Sequence, residues 1–136
     1  MKPRFRAWQK KWKELGRIVF IRYQESGEIA HLSFRGNIYN GLVKPDEIEL
    51  MQSTGLTDKN GKEIFEGDVV RQVRTQPTIE NETIIGAVTM LEGAWLIVND
   101  NEQLASDLWS ETDENEIISN IYENPELLED KECTQK

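Results

Sequence analysis

The clearest hydrophobic pattern in the chain lies between residues 17 and 34, where two apolar segments flank a short polar turn. Residues 17–23 are rich in β-branched and aromatic side chains, which favour extended strands. The turn Glu25-Ser26-Gly27 leads into residues 28–34. These alternate along a strand, with one face formed by Ala30, Leu32 and Phe34 and the other by Ile29, His31 and Ser33. The pattern predicts a β-hairpin.

Further short strands are predicted along the rest of the chain, separated by turn residues. They cover residues 48–51, 69–73, 83–90, 95–98 and 117–122. Residues 36–45 are predicted to form a loop that crosses from one lobe to the next, and residues 75–82 a polar loop. Residues 104–109 fit either a strand or a short helix. Many short strands with frequent turns indicate a mainly β protein.

Turn residues in the second half of the chain suggest how its strands are arranged. Gly86 interrupts the strand at 83–90, which indicates a bulge or a sharp bend. The Gly-Asp pair at 67–68, the strands after it and the turn at 92–93 are ingredients of a small SH3-like barrel. Asn124-Pro125-Glu126 then begins a short closing helix, because Asn caps helices and Pro suits the first helical position.

These elements predict one domain over residues 1–130 that contains two lobes. Residues 1–52 are expected to form an N-terminal β-hairpin lobe, and residues 53–130 an SH3-like barrel lobe with the closing helix. Residues 131–136 are expected to be a frayed tail.

The beginning of the chain carries a different pattern. Phe5, Trp8, Trp12 and Leu15 are spaced three, four and three residues apart, which is typical of one face of an amphipathic helix. Taken by itself, this spacing indicates a helix over residues 5–15.

Residues 54–70 hold the most informative motif, Thr-Gly-Leu-Thr-Asp-Lys-Asn-Gly-Lys-Glu-Ile-Phe-Glu-Gly-Asp-Val-Val. Physically it is a loop, a tight turn in which Gly61 can adopt a positive φ, and the entry to a strand. Two other blocks accompany it, Phe-Arg-Ala-Trp at 5–8 and Asn-Ile-Tyr-Glu-Asn-Pro-Glu-Leu-Leu at 120–128. Together the three blocks resemble the YopX-like family of bacteriophage and prophage proteins.

The resemblance covers about residues 3–130 and implies no particular chemistry. Members of the family use the Phe-Arg-Ala-Trp block as a strand. The resemblance therefore favours a strand at residues 4–8 and a turn at residues 9–14 over the helix that the spacing indicates.

Charge is distributed unevenly along the 136 residues. Residues 1–22 hold eight Lys or Arg and one Glu, whereas residues 92–136 hold thirteen Asp or Glu and two Lys. Such segregation favours contacts between oppositely charged surfaces, within the fold or between subunits. No apolar run approaches the roughly 18 residues of a membrane span, and the start lacks the features of a secretory signal. A location in the cytoplasm of a bacterial host is therefore expected, and the lone Cys133 excludes an internal disulfide.

The residues that could take part in catalysis or metal binding fit structural roles better than catalytic or metal-binding ones. The run Asp58-Lys59-Asn60-Gly61 resembles a calcium loop only in part, because its Gly comes fourth and Val69 occupies the twelfth position. Glu63, Glu66 and Asp68 flank turns, and His31 lacks the partners of a catalytic triad. No nucleotide-binding glycine loop and no zinc-ligand spacing occurs. We therefore expect no catalytic residue, no metal, no cofactor and no enzymatic activity.

The N-terminal region offers the best candidates for binding a partner. Tryptophan and arginine are enriched among the residues that dominate protein interfaces. The candidate contact residues are Lys10, Lys11, Trp12, Lys13 and Arg17. We predict a phage or prophage accessory protein that binds protein and forms a homo-oligomer. One alternative is a nucleic-acid-associated regulator that uses this basic aromatic arm, although the net charge of −9 opposes binding to phosphate. The other alternative is an acidic mimic of DNA.

Overall fold

The computed structural model describes residues 4–74, 83–110 and 113–128. The described residues form two antiparallel sheets and two short 3-10 turns, so the protein is mainly β, as predicted. The strands are β1 (Phe5–Gln9), β2 (Glu14–Tyr23), β3 (Ile29–Arg35), β4 (Asn40–Val43), β5 (Ile48–Thr57), β6 (Glu63–Phe65), β7 (Asp68–Arg74), β8 (Thr83–Leu91), β9 (Ala94–Asn99), β10 (Leu104–Asp107) and β11 (Asp113–Asn120). By its contacts the chain divides into two compact units, Met1–Ser53 and Thr54–Lys136.

The first sheet has the strand order β4-β3-β2-β1-β5-β6. In the first unit it packs one face around a buried cluster, which consists of Ala7, Leu32, Phe34, Val43 and Ile48. Gly16 is required beside this cluster, because a Cβ there would lie 2.4 Å from the ring of Phe34. Burying this apolar face is what holds the sheet together.

The N-terminal residues form a strand and a turn, as the family resemblance suggested. β1 pairs with β2 on one side and with β5 on the other, so its backbone groups are bonded on both edges. Residues 10–13 make the turn that leads into β2. The helix indicated by the spacing of Phe5, Trp8, Trp12 and Leu15 is wrong, because pairing with two neighbouring strands outweighs a local helical pattern.

The predicted hairpin of residues 17–34 is confirmed as β2 and β3. The loop predicted for residues 36–45 is wrong in its central part, because β4 pairs with β3 there and buries Val43. β5 is longer than the predicted strand at 48–51 and continues into the motif as far as Thr57.

The second sheet has the strand order β10-β9-β8-β7-β11, with β7 paired to β11, the last of the described strands. The buried cluster of the second unit consists of Ile64, which lies in β6, with Val70, Ile84, Val88, Ile97 and Leu108. The strands predicted at 69–73, 83–90 and 95–98 are confirmed, and residues 104–107 are a strand. The strand predicted at 117–122 is confirmed only in part, because β11 runs from Asp113 to Asn120 and residues 121–122 are in a turn. The polar loop at 75–82 and the tail at 131–136 lie outside the described residues.

Three finer expectations for the second unit are not confirmed as stated. No bulge occurs at Gly86 in the pairing with β7, which keeps a regular register from Thr83 to Ala87. Gly86 instead marks a close contact, because a Cβ there would lie 2.6 Å from Ile97 Cγ2. The predicted SH3-like barrel is not confirmed, because β10 and β11 are the two ends of the described row of strands. The closing element is a single 3-10 turn, Pro125–Leu128.

Candidate partner-binding surface

The basic turn between β1 and β2 is shaped by a buried amide. Gln9 is almost fully buried, and its Oε1 accepts the backbone N–H of Lys11 at 2.8 Å. Lys13 takes a left-handed conformation with φ of 52°, which lets the chain reverse in four residues. Trp12 is 42% exposed at the tip, with the Lys11 ammonium 5.2 Å from its ring centroid, a cation–π contact.

The five predicted contact residues do not form one surface. Lys11, Trp12 and Lys13 lie together in the turn. Lys10 is already engaged, since its ammonium pairs with Glu49 at 3.3 Å and donates to the carbonyl of Asp46 at 3.2 Å.

Arg17, the fifth predicted residue, belongs to a different surface. It lies in β2 directly opposite Arg6 of β1 and Arg35 of β3. Residues directly opposite each other in antiparallel strands point to the same face. The three arginines therefore form a row across three strands, on the face of the sheet away from the apolar cluster; Arg6 is half-buried, whereas Arg17 and Arg35 are exposed.

An irregularity in β2 brings apolar side chains to the same face. Ile18 pairs with Phe34 and Ile21 with Leu32, so one extra residue is accommodated between them. This bulge leaves Val19 and Phe20 opposite Ser33, and they are 53% and 46% exposed.

Two further residues complete this surface. Leu42 of β4 pairs with Ser33 and is 54% exposed, and Arg22 pairs with His31. We call this surface the arginine face; it consists of Arg17, Val19, Phe20, Arg22, His31, Ser33, Arg35 and Leu42. Of these residues, only Arg17 was predicted from the sequence as a contact residue. Which side chains share this face depends on the strand register and on the bulge, and the local sequence pattern reveals neither.

Glu14 stabilises the turn between β3 and β4. Its carboxylate accepts the backbone N–H groups of Asn37, Ile38 and Tyr39 at 2.7 to 3.1 Å. Desolvation raises the pKa of Glu14, but these N–H bonds outweigh it, so the pKa lies below its ordinary value. The charge of Glu14 is therefore used to hold a turn, although Glu14 follows the basic turn directly in sequence.

The carboxylates of the 54–70 motif also serve the backbone. Asp58 is buried; Oδ1 accepts the N–H groups of Asn60 and Lys62 at 2.9 Å, and Oδ2 accepts that of Ile117 in β11 at 3.0 Å. Desolvation raises the pKa of Asp58, but these hydrogen bonds and the charge of Lys62 lower it below its ordinary value. The calcium-like run is thus a turn anchored to a distant strand.

Asp68 has a comparable position at the start of β7. It is 1% exposed, and its Oδ2 accepts the N–H of Phe65 at 2.8 Å, across the turn at residues 66–67. Gly61 and Gly67, with φ of 83° and 88°, provide the two left-handed positions that these turns need. The motif therefore defines two turns, as predicted.

A buried amide network lies under β10. The Gln72 side chain is fully buried; its Nε2 donates to the Asp107 carbonyl and to Asn115 Oδ1, both at 3.0 Å. Its Oε1 accepts the Ser106 hydroxyl at 2.9 Å, and Asn115 Nδ2 donates to the Leu108 carbonyl at 2.7 Å. Every polar atom of the Gln72 amide group is thus occupied in holding neighbouring strands.

A cleft of about 290 Å³ lies on the second unit, lined by Lys59, Arg71, Val73, Thr83, Glu114 and Glu116. Its charges neutralise one another, since Glu116 pairs with Arg71 and with Lys59, the latter at 3.9 Å. Among the described residues, no three His, Cys, Asp or Glu side chains converge as metal ligands do. None of the described helical segments is long and apolar enough to cross a membrane.

Comparison with known proteins identifies the family. The family model described as YopX protein matches residues 4–129. The chain therefore belongs to the YopX family. A search of curated proteins finds no match.

Two solved structures share the fold over nearly their whole length. Protein EF1440 from Enterococcus faecalis is 26% identical, with a TM-score of 0.60, over 95% of this chain and 99% of that one. Protein yopX from Bacillus subtilis is 17% identical, with a TM-score of 0.62, over 96% of this chain and 98% of that one.

Proposed function

We propose that the protein is a non-catalytic accessory module of a phage or prophage, which binds protein and assembles with copies of itself in the cytoplasm of the bacterial host. The observation that carries this proposal is the separation of charge between the two units. Residues 1–53 hold ten Lys or Arg and six Asp or Glu, a net of +4, whereas residues 54–136 hold six and nineteen, a net of −13. Opposite charges on separate units favour contacts between one copy and the next.

Two properties of the site support a binding role. The arginine face combines exposed arginines with the exposed apolar side chains Val19, Phe20 and Leu42, a composition enriched where proteins contact each other. Asp68, one of the three carboxylates considered for acid–base chemistry, and Asp58 of the calcium-like run are occupied by backbone N–H groups instead. Their positions fit turns rather than acid–base chemistry.

Light scattering after gel filtration tests the self-assembly. At micromolar concentration and low salt we expect a mass above the 15.8 kDa of one chain, and added salt should lower it, because screening weakens contacts between charged units. A monomer at both low and high salt would overturn this part of the proposal.

The alternative is a nucleic-acid-associated regulator. It is favoured by one observation, namely that Trp12 is exposed between Lys11 and Lys13 in a protruding turn. If this turn binds single strands, Trp12→Ala should cost about 1–3 kcal/mol of stacking. Affinity should also fall by roughly 0.7 to 0.9 log units per tenfold salt for each phosphate contacted.

Fluorescence anisotropy separates the alternative from the main proposal. With short single- or double-stranded DNA at physiological salt we expect no change, because the net charge of −9 repels phosphate. Submicromolar binding that is lost when Lys10, Lys11, Lys13 and Arg17 are neutralised would favour the regulator instead. An acidic mimic of DNA is the other alternative, which the net charge of the second unit supports. It would bind a DNA-binding protein in competition with DNA.

A further inference from the structure

We propose that the arginine face binds an extended acidic segment of a partner protein, in which two carboxylates flank an apolar side chain in the order acid–x–apolar–x–acid. This inference rests on the proposed protein-binding function and names the surface and the chemistry of its ligand. Every residue of the face belongs to the first unit.

The first element of the face is an exposed pair of like charges. Arg17 and Arg35 are directly opposite each other, both are exposed, and neither makes an ion pair or a side-chain hydrogen bond with any residue that the structure describes. Like charges in this position destabilise a sheet. A carboxylate placed between them would relieve the repulsion, and guanidinium groups bind carboxylates through two parallel N–H bonds.

The second element is another pair of hydrogen-bond donors. Its distance from the first pair matches the spacing of side chains along an extended peptide. Arg22 and His31 are opposite each other, and His31 lies four residues from Arg35 along β3. Four residues of strand span about 13 Å, at about 3.3 Å per residue. An extended peptide places its side chains i and i+4 on one side at the same separation, so acidic residues at these positions reach both pairs.

The third element lies between the two pairs. Val19, Phe20 and Leu42 are exposed at the level of Ser33, halfway from Arg35 to His31. The side chain i+2 of the same extended segment points toward this position. An apolar residue there would bury surface that the free protein exposes to water.

These features favour a peptide over single-stranded nucleic acid. Bases bind by stacking on aromatic rings, and of the three apolar side chains only Phe20 has one; Val19 and Leu42 are aliphatic. The net charge of −9 also opposes a polymer with one phosphate per residue more than it opposes a segment with two carboxylates.

Fluorescence anisotropy with a synthetic peptide tests the inference. The probe is a labelled peptide in which Gly-Ser linkers flank Glu-Ser-Leu-Ser-Glu, titrated with the full-length protein at low ionic strength. We expect saturable binding that weakens with salt. Peptides with Lys-Ser-Leu-Ser-Lys or Glu-Ser-Ser-Ser-Glu should bind more weakly, since they lack the carboxylates or the apolar side chain. Chemical shifts of backbone amides should change in β2 and β3.

Matched variants locate the binding. The double variant Arg17→Glu with Arg35→Glu should weaken binding of the peptide about tenfold or more. The control Lys11→Glu with Lys13→Glu changes the net charge equally but lies in the β1–β2 turn, and it should leave the affinity within roughly twofold. Phe20→Ser should weaken binding without altering charge. Circular dichroism of each variant confirms that the sheet is retained.

Three outcomes would overturn the inference: no saturable binding of the peptide, equal loss in the two double variants, or tighter binding of an oligothymidylate than of the peptide to the arginine face. Its failure is distinguishable from failure of self-assembly, which the mass measurement reports. A monomer that binds the peptide would contradict self-assembly alone, whereas an oligomer that ignores the peptide would contradict this inference alone.

Discussion

The two units of the chain place their polar groups differently. Among the described residues, the first unit buries one polar side chain, Gln9, whereas the second buries Asp58, Asp68, Gln72, Asn99 and Asn120. In the first unit the charged groups of β2 and β3 lie exposed on one face of the sheet. The second unit buries polar groups that fix its turns and strands, while the first leaves Arg17, Arg22 and Arg35 exposed on one face of its sheet.

Residues that carry the family resemblance and residues that are exposed to a ligand therefore lie in different parts of the chain. The 54–70 motif carries much of the resemblance to the family and lies within the matched residues 4–129, yet its two buried carboxylates bind backbone N–H groups and hold turns. The arginine face carries no motif, yet it presents the charges that a ligand could reach. Substitutions should therefore affect stability mainly in the second unit and binding mainly in the first.

The largest effect is expected at Asp58. Asp58→Ala removes the acceptor of three backbone N–H groups, one of them in β11, and should lower the free energy of unfolding by about 3 kcal/mol. Urea unfolding followed by fluorescence measures this change. Asn60→Ala is the control in the same turn, because only the backbone of Asn60 bonds to Asp58; an equal loss in both variants would contradict the role assigned to the carboxylate.

The lowered pKa of Asp58 also predicts how stability depends on pH. A carboxyl whose pKa is lower in the folded protein than in the unfolded chain stabilises the fold above the unfolded pKa, which is about 3.9 for Asp. This contribution is lost as the pH falls below about 4, through the lowered pKa of the folded protein. Asp58→Asn should therefore flatten the acid side of the stability curve; an unchanged acid slope would count against this assignment.

The next effect is expected at Gln72. Gln72→Leu keeps the side-chain size but removes the amide that donates to the Asp107 carbonyl and to Asn115 Oδ1, so it should cost about 2 kcal/mol. Gln24→Leu, at an exposed position, is the control and should change stability by less than about 0.5 kcal/mol. Urea unfolding compares the two, and a neutral Gln72→Leu would mean that the network contributes little.

A local effect is expected at Glu14. Glu14→Ala removes the acceptor of three consecutive backbone N–H groups, so amide hydrogen exchange should accelerate at residues 37–39 while the second unit remains unchanged. The pKa of Glu14, followed by its own chemical shift, should lie below the ordinary value for Glu. Unchanged exchange at residues 37–39 would show that the turn does not depend on the carboxylate.

The smallest effect on stability is expected on the arginine face. Arg35→Glu replaces a like charge opposite Arg17 with an opposite one, so it should leave stability unchanged or raise it by less than about 1 kcal/mol. A loss of several kcal/mol would place Arg35 among the structural residues and remove the contrast between the two units.

Elements whose pattern lies within a short stretch of sequence were predicted correctly, whereas elements that depend on pairing with another strand were not. The hairpin at 17–34 and the strands of the second sheet follow from β-branched content and turn residues. β4 was missed because Asn40 and Gly41 read as loop residues, although pairing with β3 makes them a strand. The spacing of Phe5 to Leu15 by itself indicated a helix, whereas the family resemblance favoured the strand that is found. A strand paired on both edges does not need a local pattern of its own.

The candidate site was harder to predict because it depends on register. Arg17 and Arg35 are eighteen positions apart in the sequence and become neighbours only through the β2–β3 pairing. The bulge that exposes Val19 and Phe20 adds one residue to a continuous apolar run, and nothing in the sequence of that run marks the position of the bulge. Asp58 was correctly placed in a turn, but its bond to Ile117 joins residues 59 positions apart and has no local signal.

The bond between Asp58 and β11 has a consequence for the order in which the protein matures during synthesis. Strands β7 to β10 pair in sequence order as they emerge, but the partner on the other side of β7 is β11, which follows all of them in the sequence. Until residue 117 has left the ribosome, the Asp58 carboxylate lacks one of its three N–H partners and β7 has an exposed edge. Nascent chains that end before β11 should therefore be open to proteases and chaperones at residues 54–70, and these residues should become protected only once β11 has been synthesised.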